Sequence, residues 1–243
     1  MTPQLTEIWV YLATSPLLGL TVTLVAYQGA WWLYKRAGFH PLANPVLISV
    51  AILVALLVLT GTPYRTYFDG AQFVHFLLGP ATVALAIPLY AQFKRVRAML
   101  LPVAAALLAG SLTAIVSAMA VGRMFGASLP TMLSLAPKSV TTPIAMGVAE
   151  RIGGIPSLTA VLVIITGILG AVGARYLFDA MRLRDPAVRG FAIGVASHGI
   201  GTARAFQVSE QAGAFAALAM GLNGLVTALL LPALLPWLQR WLA

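Results

Sequence analysis

Hydrophobic positions in this chain do not alternate with polar ones. They gather into continuous runs separated by short polar or basic stretches. PLLGLTVTLVAYQGAWWLY begins at Pro16, PVLISVAILVALLVLTG at Pro45, LLPVAAALLAGSLTAIVSAMAVG at Leu100 and IPSLTAVLVIITGILGAVGA at Ile155, and a last long run begins near Gly213. Each approaches the ~20 residues an α-helix needs to cross ~30 Å of hydrocarbon. The pattern predicts an all-α polytopic membrane protein, with about seven transmembrane helices plus a re-entrant hairpin. Composition agrees: 60% of residues are hydrophobic and 9% are charged, at a mean hydropathy of +0.93. Soluble domains carry roughly 25% charged residues.

Three further apolar segments are interrupted. FLLGPATVALAIPLY (76–90) holds Gly79-Pro80, Thr82 and Pro88; the stretch 128–150 holds Pro130, Pro137 and Pro143; and GFAIGVASHGIGTARAFQVSE (190–210) holds Gly194, Gly199 and Gly201. Three prolines cannot share one uninterrupted helix, because each removes a backbone donor and clashes with the preceding turn. Irregular backbone at membrane depth is tolerated only inside protein or beside a wet cavity. Paired Gly/Pro-interrupted segments are the sequence mark of a transporter's midplane site. PATV (80–83) and PKSV (137–140) share a Pro-x-Thr/Ser-Val pattern; four positions leave an inverted repeat open without establishing it.

The net charge of +9 follows from Lys and Arg clustered between spans, the positive-inside pattern, so no nucleic-acid partner is expected. If all three interrupted segments cross and the N-terminus lies outside, six basic residues fall on the cytoplasmic side and seven outside. If 128–150 returns to the side it came from, the cytoplasmic side holds ten: Lys35, Arg36, Lys94, Arg95, Arg97, Arg175, Arg182, Arg184, Arg189 and Arg240. Arg65, Arg123 and Arg151 remain outside, and Lys138 and Arg204 lie at membrane depth. The asymmetry favours a re-entrant hairpin at 128–150, although a two-span reading of 123–155 gives the same parity. The segment 189–208 is expected to be a broken spanning helix, with the N-terminus periplasmic and the C-terminus cytoplasmic. MTPQLTEIWVYLATSP lacks a basic leader and a small-residue cleavage site, so residues 1–15 read as a short helix rather than a signal peptide.

Lys138 and Arg204 carry the strongest chemical signal. A cation near the bilayer centre is unfavourable by roughly 2.5 kcal/mol or more, and such residues usually face a pathway or a partner. The acids are Glu7, Asp69, Glu150, Asp179, Asp185 and Glu210. Asp179 is placed to pair with Arg175 four residues earlier, and pairing of Glu150 or Glu210 with Arg204 is the purely structural alternative. No acid is obviously available at depth for both cations, so the site is electropositive and suited to a carboxylate. The expected substrate-binding set is Lys138, Ser139, Thr141 and Thr142 at the hairpin tip, Ser197, His198, Thr202 and Arg204 on the broken helix, and Asn223 and Thr82. Pro80, Pro88, Pro137, Pro143, Gly199 and Gly201 are the expected structural breaks. His198 is the nearby group whose ordinary pKa permits proton coupling near neutrality. His75 and the methionines read as packing residues.

Enzymatic readings fit poorly. Ser197 and His198 are adjacent, as are Lys138 and Ser139, and neighbours on a helix do not face each other. No HExxH, Walker loop or Cys/His cluster is present. Without cysteine there is no thiolate metal site, and no metal or cofactor is expected.

PKSVTTPIAMGVAERIGGIPSLTA (137–160), GVASHGIGTARAFQVSEQAGAFAALAMGLNGL (194–225) and FLLGPATVALAIPLYAQ (76–92) resemble the LrgB/CidB family of bacterial inner-membrane proteins over nearly the whole chain. The resemblance implies a single integral membrane domain over 1–243 and a multi-pass location in the bacterial plasma membrane. It also implies transport of small monocarboxylates by proton coupling or exchange, because the family includes a plastid glycolate/glycerate translocator. Glycolate or glycerate lead, with lactate or pyruvate as further candidates. The alternative it implies is an antiholin-like regulator of murein hydrolase activity, acting with a small LrgA/CidA-type membrane protein. A homo-oligomer is expected.

Overall fold

Prolines that read as helix breakers turn out to be helix starters. The structure, a computed structural model, describes residues 16–77, 80 and 83–242. The expected short helix at 1–15, together with Gly79 and Thr82, lies outside the described residues. The described residues form helices and turns with no strand, in two compact units divided between Ala84 and Leu85. Pro45, Pro130, Pro143, Pro156 and Pro186 each occupy the first turn of a helix. There the missing N–H is one of those left without a helical partner anyway.

The first unit holds α1 (Pro16–Arg36), a 3₁₀ turn (Pro41–Ala43), α2 (Pro45–Thr60) and α3 (Tyr64–Phe76). Helices α1 and α3 touch through backbone: a Cβ added at Gly19 would lie 2.6 Å from the Tyr67 carbonyl oxygen. The Thr23 and Tyr67 hydroxyls bond at 2.7 Å across the same contact. Asn44 caps α2, its Oδ1 accepting from the N–H groups of Val46 and Leu47 at 2.9 and 3.2 Å.

The second unit holds α4 (Ala86–Ala91), α5 (Phe93–Ala98), α6 (Leu100–Met124), α7 (Leu129–Leu135), α8 (Thr142–Ile152), α9 (Pro156–Ala180), α10 (Pro186–Val208) and α11 (Glu210–Leu242). Three helices among the described residues are long and apolar enough to cross a membrane: Leu100–Met124, Pro156–Ala180 and Glu210–Leu238. That is fewer than the seven expected. The segment 76–90 is not one helix, since α3 ends at Phe76 and α4, with Pro88 in its first turn, begins at Ala86.

Helices α6 and α11 run parallel. Val103 and Leu107 near the start of α6 pack with Phe215 and Ala219 near the start of α11. Ile115 and Met119 pack with Leu231 and Leu238 toward the far ends. Helix α9 runs the opposite way. It starts against α7, where the Ile155 N–H donates to Ser134 Oγ at 2.7 Å. It ends with Phe178 packed against Ala212 and Ala216 of α11.

Two helical hairpins fill the space between these three. The first is α7, a turn over 136–141, and α8. At 1.5 Å per residue its limbs are roughly 10 and 16 Å long, well short of a ~30 Å crossing.

The second is α10 itself, and it corrects the expectation of a broken helix that continues across. Ser197 (φ −132°, ψ 18°) and His198 (φ 41°, ψ −135°) depart from helical geometry, and the chain doubles back there. Ile193 and Ala205 share one buried cluster, whereas twelve residues of straight helix would separate them by about 18 Å. A Cβ on Gly201 would lie 3.0 Å from the Ile193 carbonyl oxygen. Helix α10 therefore begins and ends at the same end of the unit. Arg240, near the end of α11, consequently lies opposite Arg175 and Arg184, not beside them as the sequence reading had it. Asp185 caps this hairpin and accepts from Arg95 of α5 at 2.8 Å. Partial burial pushes its carboxyl up, but the N–H groups of Val188 and Ala187 and the Arg95 guanidinium outweigh that and hold it below the usual carboxylate range.

Candidate functional site

The tips of the two hairpins meet at the middle of α9. Val140 and Ala145 of the first hairpin pack on Val163, and the His198 Nε2–H donates to the Val163 carbonyl at 2.9 Å. Gly167 and Gly170 admit the second tip, because a Cβ on Gly167 would stand 2.7 Å from the imidazole Cε1 and one on Gly170 would overlap the Ser197 hydroxyl. Small residues let membrane helices approach this closely.

A cavity of about 710 Å³ ends at these tips. It runs along α6 from Met99 to Ala114, past Ala187, Val188 and Phe191 of α10, and reaches Lys138, Ser139, Thr166 and Ser197. Its path spans about 22 Å of helix. Lys138 is the single charged residue among those lining it, and among the described residues it makes no ion pair. Beyond the tips, Ile115, Met119, Leu133, Val148, Ile152 and Leu231 pack as one buried apolar cluster. The arrangement is a vestibule along α6 with one ammonium and hydroxyls at its inner end and apolar packing beyond them.

The expected site residues divide. Lys138, Ser139 and Ser197 face this cavity together. Thr141 and Thr142 lie at the start of α8 and Gly199 and Gly201 just past the second tip, and none of these lines it. His198, 4% exposed, is turned toward α9. Thr202 donates to the His198 carbonyl at 2.8 Å. Asn223, 1% exposed, donates to the Val195 carbonyl at 2.9 Å and accepts from the Ser111 hydroxyl. That carbonyl is among those that lose their helical donor at the break, so Asn223 holds the fold of the second tip.

Arg204 is displaced furthest from its expected position. It sits six residues down the returning limb, about 9 Å from the tip, and lines a separate cavity. There its Nη1 donates to Gln207 Oε1 at 3.2 Å. The Arg175–Asp179 pair forms at 3.8 Å as expected, and Asp179 also accepts from Arg189. Thr113 and Thr166, which sequence reasoning passed over, line the main cavity. Their signal is a hydroxyl in mid-span beside a glycine, at Gly110-x-x-Thr113 and Thr166-Gly167.

Comparison with known proteins places this arrangement. Residues 23–237 match the LrgB-like family. The uncharacterized protein YwbG of Bacillus subtilis is 36% identical over 222 residues, covering 91% of this chain and 98% of the relative. The antiholin-like protein LrgB of Bacillus mycoides is 31% identical over 225 residues, covering 92% and 97%. No solved structure matches the chain. With its apolar spans, its paired hairpins and a match over most of its length, the chain belongs to the LrgB-like family of membrane proteins.

Proposed function

We propose that the protein is a secondary carrier for small monocarboxylates such as glycolate or glycerate, with the carboxylate held by Lys138 and the substrate hydroxyl by Ser139, Ser197 and Thr166. The observation that carries this reading is the lone ammonium lining a cavity where two hairpin tips converge. An uncompensated cation at membrane depth needs an anion. A chamber of about 710 Å³ exceeds what a two- or three-carbon acid fills, so most of it serves as an aqueous approach. The imidazole of His198 faces α9 and not the cavity, which supports anion exchange over proton coupling.

Charge sets the orientation. The end of the second unit where α6 begins and α10 begins and ends carries eight basic residues: Lys94, Arg95, Arg97, Arg175, Arg182, Arg184, Arg189 and Arg204. The opposite end carries Arg123, Arg151 and Arg240. By the positive-inside rule the first end is cytoplasmic, and the vestibule is inward-facing. The limbs of α7 and α8 are too short to cross, so 128–150 is re-entrant from the periplasmic side.

The test is counterflow. Reconstituted vesicles preloaded with unlabelled glycolate should accumulate labelled glycolate transiently, and Lys138→Gln should weaken half-saturation about ten- to a hundredfold, the loss of a charge-assisted hydrogen bond of roughly 1.5–3 kcal/mol. The antiholin-like name of the Bacillus mycoides relative favours a second reading, an antiholin-like regulator, for which an LrgA/CidA-type protein is the proposed partner. That reading has no substrate cycle. Absence of counterflow with every short monocarboxylate would reject the carrier and leave the regulator.

A further inference from the structure

A second cavity, of about 420 Å³, lies where the two limbs of α10 come back together beside the end of α9. Four arginines reach it from four places in the chain: Arg175 of α9, Arg184 of the α9–α10 turn, and Arg189 and Arg204 of the outgoing and returning limbs of α10. Asp179 pairs with Arg189 and Arg175. The remaining wall is apolar and includes Phe178, Ile193 and Val208. Val208 is 62% exposed, so this wall continues onto the outer surface.

Four guanidinium groups around one cavity make its potential positive. The fold-back at Ser197–His198 is what gathers them. Guanidinium groups hold phosphate oxygens through paired parallel hydrogen bonds. Basic pockets between helices on the cytoplasmic side are places where lipid headgroups dock. We propose that this cavity binds an anionic phospholipid, with the headgroup phosphate on Arg184 and Arg204 and an acyl chain along Phe178, Ile193 and Val208. The apolar wall running out to the surface favours a lipid over a free phosphate. The site is separate from the Lys138 vestibule and relies on the proposed function only for the side of the membrane.

Purified full-length protein is tested by native mass spectrometry and thermal unfolding with phosphatidylglycerol, with phosphatidylcholine and with inorganic phosphate. Phosphatidylglycerol should be retained preferentially and should raise Tm, while phosphatidylcholine does neither. The double variant Arg184→Gln/Arg204→Gln should lose both effects, and Arg184→Lys/Arg204→Lys should keep part of them. Equal retention of the two lipids, or undiminished retention in the Gln double variant, overturns the proposal. Stabilisation by inorganic phosphate equal to that by phosphatidylglycerol overturns the lipid assignment in favour of a free oxyanion. Should the double variant fail to fold, Arg184→Gln alone decides. Arg184 is exposed and makes no hydrogen bond or ion pair among the described residues, so this variant keeps its fold. Its affinity for phosphatidylglycerol should fall about tenfold, as for one lost charge-assisted bond, and an unchanged affinity overturns the proposal.

Discussion

His198 combines two opposing effects in one residue. Its φ of 41° lies in the left-handed region, where a side chain costs about 1–3 kcal/mol. Its buried imidazole offsets that by donating to the Val163 carbonyl; left unpaired in a dry interior, the imidazole N–H would cost about 1–3 kcal/mol. The two effects can be separated. His198→Ala keeps the backbone strain and loses the bond, whereas His198→Gly loses the bond but relieves the strain. Unfolding in detergent should give the stability order wild type, Gly, Ala, with Gly above Ala by about 1 kcal/mol. Ala more stable than Gly would mean that the backbone at the tip is not left-handed. The sequence showed a histidine among glycines and suggested a titrating group; its backbone conformation was invisible there, because nothing in the composition marks a non-glycine residue for positive φ.

At the scale of elements, Gly194 was read as one of the interruptions of 190–210, yet it and Gly190 act as packing surfaces. Gly190 and Gly194, four apart, lie on Ala212 and Ala216 of α11, also four apart. A Cβ at Gly190 would overlap the Ala212 carbonyl oxygen, a backbone atom that cannot move aside alone. Gly190→Ala should therefore destabilise by about 1–3 kcal/mol, the usual penalty for overpacking. Gly173, inside α9 with nothing within 4 Å of its built Cβ, is the control. Its change to Ala should be neutral or stabilising by about 0.5–1 kcal/mol, because the unfolded chain loses freedom. Equal effects at both positions would show that close approach of α10 and α11 does not hold the hairpin. Both glycines sit in apolar surroundings in the sequence, and only the neighbouring helix distinguishes them.

At the scale of the whole molecule, the fold-back of α10 removes one crossing and reverses the side on which α11 ends. The C-terminus should be periplasmic, opposite to the expectation from a spanning α10. Alkaline phosphatase fused after Ala243 should be active and green fluorescent protein fused there dark; the reverse pattern would restore α10 as a span. The charge count could not decide this, because moving Arg240 to the other side changes ten against three only to nine against four, which still obeys the positive-inside rule.

The sequence by itself determined the solvent of this protein, its helical class and its family, and it singled out residues that line one cavity. Each of these depends on local quantities: run length, proline spacing and a cation among hydroxyls. Lys138, Ser139 and Ser197 were legible as neighbours around one cavity because tips of interrupted segments have nowhere to go but a shared polar interior. The tertiary structure decided which way the chain leaves each break. The dihedral angles at Ser197 and His198 send α10 back instead of onward, which carries Arg204 away from Lys138 and into a cluster of arginines. The same packing turns Asn223 into a clamp on a freed carbonyl and draws Thr113 and Thr166 into the vestibule. Those outcomes depend on contacts between residues far apart in the chain, set by close packing that hydropathy does not record.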